Sequence, residues 1–425
     1  MNKFTIDFAQ ELDLNDSLKK FRDRFEFNDP NLIYLDGNSL GALPKTTPDH
    51  LQNVIQKEWG ERLIRSWNEG WYNRSQKIAK KIAHLIGAKA EEVIIADSTS
   101  VNLFKLAYGV LKLQEGKTKI VSDELNFPSD IYLLQGLIDL FGNKHQLSLA
   151  KSKDDLTISL SELQSLINPD TALVALSHVV FKSAYMHDMK AVTQLAHRNN
   201  ALMLWDLSHS VGAVPIYLND CNVDVAIGCT YKYLNGGPGS TAFLYVRKDL
   251  QEKIQQPIWG WFGENNPFEF GLKYKSAKGI RKYLAGTPPL LSLSAMEPAL
   301  DIMLEAGIHN LRKKSINQID YFIELFDQEL KPIGYQLGTP RDAKHRGSHI
   351  SLKHKEAYRI CKSLIDPNIQ DKVIIPDFRE PDNIRLGITP LYTSYLEIFE
   401  AVRQLKTIAK DELYKKFDQE KDKVT

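Results

Sequence analysis

Lys232 stands between two tyrosines in the stretch DVAIGCTYKYLNGGPGSTAFLYV (224–246), after an apolar run and before a glycine-rich turn. A single lysine is most often a solvated surface charge. Here Val223, Val225, Ala226 and Ile227 have the length and β-branching of an interior strand, and Ala242 to Val246 make another. That places an amine at a strand end, where α/β folds keep their ligands. Three other strand ends carry polar groups of complementary kinds. After EVIIAD come Ser98, Thr99 and Ser100; hydroxyls and free N–H groups at a helix start hold phosphate, although a plain N-cap uses the same residues. After TKIVS comes DELNFPSD, in which Phe127, Pro128, Ser129 and Asp130 open the next helix. After ALMLWD comes LSHSVG, so Asp206 ends a strand and His209 follows three residues on. Aspartate, serine and histidine could form part of a hydrolase triad, but the chain has no G-x-S-x-G elbow.

A phosphate cradle, a planar ring stacker, a strand-end aspartate and a strand-end lysine, in that order, fit pyridoxal 5′-phosphate. Its aldehyde condenses with a lysine amine, its pyridine nitrogen keeps its proton beside a carboxylate, and its phosphate takes hydroxyls and N–H groups. Between Asp206 and Lys232 there is room for a helix and one more strand. Gly236 and Gly237 let the chain turn sharply beside the ring. Each element is weak alone; the ordered set is specific.

The elements that must position these groups alternate regularly from about residue 90. Short apolar runs (EVIIAD, TKIVS, TALVALSHVV, ALMLWD, VDVAIGC, TAFLYV) are interleaved with helical patterns such as SVNLFKLAYGVLKL and DMKAVTQLAHRN. This predicts an α/β fold with a mostly parallel sheet sandwiched by helices. Near residue 293 the pattern changes to long amphipathic helices and then mixed strands. The expectation is a large domain over 59–292 and a smaller α+β domain from 1–58 and 293–425. The segment from PIWGWFGENNPFEF to AGTPPLLSLSA has no period and reads as a long functional or interfacial loop.

With 425 residues, 43% hydrophobic, the chain can bury a large core, and its net charge of +1 gives no reason to expect nucleic acid or a membrane surface. Cys221, Cys229 and Cys361 share no C-x-x-C spacing, which argues against a zinc knuckle or a disulfide framework and fits a reducing compartment; no metal site is expected. The first residues lack a signal-peptide pattern and no apolar run approaches a membrane span, so a cytoplasmic location is expected. The charged tail KDELYKKFDQEKDKVT reads as a frayed, solvated helix.

YLDGNSLGALP (34–44), FPSD, WDLSHSVGAVP, CTYKYLNGGPG, GWFG and IRLGITPLY (384–392) together resemble the kynureninase family, over nearly the whole chain. The resemblance implies a fold-type I pyridoxal-phosphate enzyme of tryptophan catabolism that hydrolyses kynurenine to anthranilate and alanine. It makes Lys232 the cofactor-bearing lysine, Asp206 the partner of the pyridine nitrogen and Tyr231 an acid–base group that also reaches the phosphate. Thr99 and Ser100 belong to the phosphate site, and Phe127, Pro128, Ser129, Asp130, Ser177 and His209 surround the ring. It further implies that Trp261 and Thr287 reach in from the second subunit of a homodimer, and that Arg385, Ser39 and Trp67 meet the substrate. An ion pair with nearby Asp382 or Glu380 is the other expectation for Arg385. The chain departs from the family in its phosphate motif, where Thr99-Ser100 stands in place of an apolar residue followed by threonine. The early loop LIRSWNEGWYN and Thr287 lack the histidine and asparagine of animal members that prefer 3-hydroxykynurenine, which leans towards kynurenine itself. A class V aminotransferase or cysteine desulfurase is the alternative on the same fold, but Cys361 sits in the core-like helical pattern YRICKSLI.

Overall fold

The computed structural model describes residues 2–369, 372–418 and 420. Helix α1 (Ile6–Leu14), strand β1 (Leu32–Tyr34) and helices α2 (Thr47–Asn53) and α3 (Trp71–Leu85) lead into a seven-stranded sheet. Its strands are β2 (Val93–Ile95), β3 (Lys119–Asp123), β4 (Gln146–Ala150), β5 (Thr171–Ser177), β6 (Leu202–Asp206), β7 (Val225–Gly228) and β8 (Phe243–Val246), side by side in the order β2-β8-β7-β6-β5-β3-β4. Helices α4 (Thr99–Leu113), α5 (Pro128–Leu140), α6 (Leu160–Leu166) and α7 (Met189–Arg198) occupy the crossovers. β3 to β7 pair in parallel, while β8 is antiparallel to both β7 and β2. β2 therefore runs with the rest, and every strand but β8 ends at one edge. The α/β fold with a mostly parallel sheet is the one the sequence predicts.

Local chemistry explains these elements. β5 is buried at every position, as its unbroken small and aliphatic run requires of a strand covered on both faces. In α7, Met189, Val192, Thr193 and Ala196 turn one stripe to the sheet, and the Asp188 side chain accepts from the Ala191 N–H at 2.9 Å to cap its start. The helix expected between Asp206 and Lys232 does not form. Residues 207–224 run through turns instead, with Gly212 and Asn222 at φ +81° and +53° and Pro215 between them, all poor helix formers.

Beyond α8 (Leu290–Ala306) and α9 (Ile308–Leu325), the chain forms β9 (Gln336–Leu337), β10 (His349–Lys353), α10 (Ala357–Ile365), β11 (Val373–Ile375), β12 (Asp377–Arg379), β13 (Asn383–Gly387) and α11 (Tyr395–Lys410). An antiparallel sheet of order β12-β13-β10-β9 carries α10 and α11, and β1 pairs in parallel with β11. Two observations bear on the expected domain boundaries. Residue 293 falls inside α8, whose Leu293, Met296, Leu300 and Met303 join the core of the large sheet, whereas Ile319, Phe322 and Phe326 join the second core. The N-terminal segment is likewise divided: Phe21, Phe25 and Ala42 face the first core, Ala9, Ile33 and Leu35 the second. Apolar pattern alone cannot say which of two adjoining cores a helix faces. The tail is also better anchored than a frayed helix. Tyr414 is buried, and the Arg359 Nε donates to the Phe417 carbonyl at 2.7 Å; of the charge run, residues 419 and 421–425 lie outside the described residues.

Candidate active site

The common edge of β2, β3, β5, β6 and β7 gathers most of the residues singled out above. Lys232 lies four residues past β7 in the connection to β8, where Gly237 and Gly239 adopt φ +90° and +69°. Its backbone is pinned by a distant segment: the Gly41 N–H donates to the Tyr231 carbonyl at 2.8 Å, and a Cβ on Gly41 would lie 2.4 Å from the Lys232 carbonyl oxygen. Only glycine allows that approach. The Lys232 Nζ lies 2.9 Å from His209 Nε2, 5.9 Å from the centre of the Phe127 ring and 5.8 Å from that of Tyr231.

Burial lowers the proton affinity of the Lys232 amine, against the pull of Cys229 and Asp206. His209 is buried and held neutral, by burial first and then by the charges of Lys232 and Arg385. A neutral imidazole can accept from Lys232 through Nε2, while its Nδ1 is buried without a partner. Asp206 is also buried; the Ser208 N–H and hydroxyl donate to its Oδ1 at 2.8 and 2.6 Å. Burial nevertheless raises its carboxyl, and raises that of Asp130 as well, with Asp206 the second cause there. Two buried acids share one lysine. A protonated pyridine ring would supply the positive charge that this pair lacks.

The N-termini of α4 and α5 converge beside this group. The Ser98 hydroxyl is spent as N-cap, accepting from Val101 N–H at 3.3 Å, which leaves Thr99 and Ser100 as the first two helical residues with open N–H groups. Ser100 Oγ comes within 3.4 Å of Ser129 Oγ, and Pro128 opens α5. This donor set matches a phosphate. Ser177, at the end of β5, donates to Asn126 Oδ1 at 2.7 Å, and that same oxygen accepts from the Phe127 N–H at 2.8 Å, fixing the ring's backbone. The hydroxyls, the acid pair, the ring and the amine thus fit pyridoxal 5′-phosphate.

Arg385, on β13, reaches this group from the smaller sheet. It is buried; its Nη1 donates to the Phe181 carbonyl and its Nη2 to Ser39 Oγ, both at 2.7 Å. Phe181 in turn packs edge-on against Phe127, with ring centres 5.3 Å apart. The carboxylate partner of Arg385 is Asp377, its cross-strand neighbour on β12, rather than the expected Asp382 or Glu380. In a β-hairpin, side chains meet across the ladder, not along the loop.

Trp67, Trp261 and Thr287 stand apart. Trp67 and Trp261 both pack against Phe262, at 5.7 and 4.7 Å, and Thr287 is exposed in the loop before α8. Among the described residues, no hydrogen bond or ring contact joins these three to Lys232. Sequence reading missed Asn126, Phe181, His349 and Asp377. Asn126 immediately precedes FPSD and was within reach; the other three act through tertiary pairing and leave no local signal.

The chain is similar to known proteins along most of its length. The family described as "Kynureninase C-terminal domain" matches residues 311–405. Among solved structures, a cysteine desulfurase from Thermococcus onnurineus superposes with a TM-score of 0.80 over 92% of this chain and 98% of its own, at 18% identity. The cysteine desulfurase CsdA of Escherichia coli gives 0.77 over 95% and 99%, at 16% identity; at such identities the likeness establishes the fold. The kynureninase of Burkholderia pseudomallei is 41% identical over 97% of both chains. The kynureninase of Pseudomonas fluorescens is 44% identical over 402 residues, 93% of this chain and 94% of that protein, and the chain therefore belongs to the kynureninase family.

Proposed function

We propose that the chain hydrolyses the Cβ–Cγ bond of L-kynurenine, consuming one water and releasing anthranilate and L-alanine, with pyridoxal 5′-phosphate as cofactor. The observation that carries this reading is the meeting of the two sheets: Arg385 binds the carbonyl of Phe181, whose ring touches Phe127, which lies beneath Lys232. One small amino acid can be gripped at both ends there. When bound, the cofactor supplies an electron sink that weakens bonds at Cα and Cβ of an attached amino acid.

The chain's residues do the rest. Arg385 and Ser39 hold the α-carboxylate and so orient Cα–H towards Lys232. Lys232, whose burial favours the neutral amine, takes and returns the Cα proton. Asp206, stiffened by Ser208, keeps the pyridine nitrogen protonated. Thr99, Ser100 and Ser129 hold the phosphate. Burial raises the Tyr231 phenol, so it keeps a proton to give as the γ-carbonyl is attacked by water.

The protein acts as a cytoplasmic homodimer in which Trp261 and Thr287 complete the partner's site. What supports this is their exposure, together with an apolar surface that includes Trp259, Phe268, Phe270 and Leu272 at 65%, 59%, 74% and 106% exposure. Among the described residues no helix is long and apolar enough to cross a membrane. Unhydroxylated kynurenine is the better substrate, by the makeup of the loop around Trp67 and by Thr287. A desulfurase needs a thiol on a mobile loop; Cys361 is fully buried within α10 and burial raises its thiol. Adding L-kynurenine to the holoenzyme and following anthranilate fluorescence, with L-3-hydroxykynurenine in parallel, tests the reading; release of no aromatic acid from either substrate overturns it.

A further inference from the structure

One oxygen of Asp377 does an unusual amount of bonding. Its Oδ2 accepts from the Ser39 hydroxyl at 2.9 Å and from Arg385 Nη2, and forms an ion pair with Arg379 Nη2 at 2.9 Å. Asp377 and Arg385 are both almost fully buried, and the Nε atoms of Arg379 and Arg385 are buried without a partner. Two guanidiniums therefore face one carboxylate, and donors remain that point to an anionic ligand. The other acid at this place is Asp36, whose carboxyl is raised to about 7 by burial first and by Asp377 second, so it carries only part of its charge at neutral pH. Arg385 is linked to the amine through the Phe181 carbonyl and the Phe181 ring on Phe127, and the charges of Arg379 and Arg385 both disfavour protonation of Lys232 and His209.

We propose that Asp377 is a positioning and specificity-determining residue: it fixes Arg385 and Ser39 and cancels one of the two guanidinium charges, so that the subsite takes ligands with a single carboxylate and rejects dicarboxylic amino acids. This rests on the reading of Arg385 as the α-carboxylate residue. A second carboxylate near Asp377 meets a site whose surplus charge is already consumed. With an amide in place of Asp377, Arg379 is unneutralised and offers that second carboxylate a charge-assisted partner.

The test is equilibrium titration of holoenzyme with L-alanine and with L-aspartate, read from the visible spectrum of the lysine-bound cofactor, for the natural protein and for Asp377→Asn, Arg379→Gln and Arg385→Ala. The natural protein is expected to prefer L-alanine. Asp377→Asn should shift the ratio of the two dissociation constants towards L-aspartate by about tenfold or more. Arg379→Gln, at a partly exposed position where folding is safe, should shift it the opposite way. A purely structural role for Asp377 would weaken both ligands alike, and an unchanged ratio in the two variants overturns the proposal even if each binds less tightly. Arg385→Ala separates the two readings. If it leaves L-alanine binding intact, the carboxylate assignment of Arg385 fails and the role of Asp377 with it; if it abolishes binding while the ratios stay fixed, only the role of Asp377 fails.

Discussion

The Nζ of Lys232 lies 2.9 Å from Nε2 of His209, and both groups are held towards their uncharged forms by burial. An amine is a nucleophile only when neutral, so this pairing prepares Lys232 to capture an aldehyde. Lys232→Ala should therefore remove both turnover and the visible absorbance of the lysine-bound cofactor. A variant that stays yellow and can be reduced by borohydride would place the bond on another residue.

Asp206 sits where a protonated ring nitrogen would relieve a buried acid pair. In Asp206→Asn the Ser208 hydrogen bonds have an amide oxygen to satisfy, so the fold should hold. An amide cannot stabilise the proton on the ring, and turnover should fall by at least about a hundredfold. Near-natural rates with L-kynurenine would refute the pairing.

Arg385 makes planar contacts in two directions, to Phe181 and to Ser39 with Asp377. An ammonium keeps the charge but cannot span both. Both Arg385→Lys and Arg385→Ala should lower kcat/KM by about 10- to 100-fold, the worth of a charge-assisted bond at roughly 1.5–3 kcal/mol. Unchanged kcat/KM in both, with the cofactor spectrum intact, would mean that another residue holds the carboxylate.

Acid should destabilise this protein earlier than its carboxylates alone would. His178 is buried against Trp205, its Nδ1 has no partner, and its pKa falls to about 3, with burial the main cause and His187 second. Between pH 6.5 and about 3 the unfolded chain binds a proton that the folded one refuses. Stability is fully present above that window and is lost as pH falls through it, by at most about 1.4 kcal/mol per pH unit for this group. Tm measured against pH should drop below pH 6.5, and His178→Phe should flatten the slope. An unchanged slope would show that His178 does not titrate on unfolding.

The sequence discloses the strands of the large sheet wherever burial on both faces writes an unbroken apolar run, as in TALVALS. β4, QLSLA, escapes because it lies at the sheet edge and is buried only at Ala150. The lysine, the aspartate and the phosphate hydroxyls are legible because each follows such a run. Asp377 is not: it stands among the acids of PDFREPD, and only the register Asp377↔Arg385 singles it out. His349 is equally silent in sequence, though its ring lies 5.5 Å from that of His209. Which of two cores claims α8 depends on packing between bodies that no local pattern records.

The connection that carries Lys232 differs from its neighbours in one respect. Phe127, Ser177 and Asp206 lead into crossovers that must return to the far edge before the next parallel strand, but residues 229–242 join two antiparallel neighbours at one edge, closed at both ends by the register Gly228↔Phe243 and pressed from the side by Gly41. Its length is thus set like the span between two fixed posts. In a scan of single-residue insertions along the chain, this segment should be among the least forgiving, losing cofactor attachment while the protein still folds.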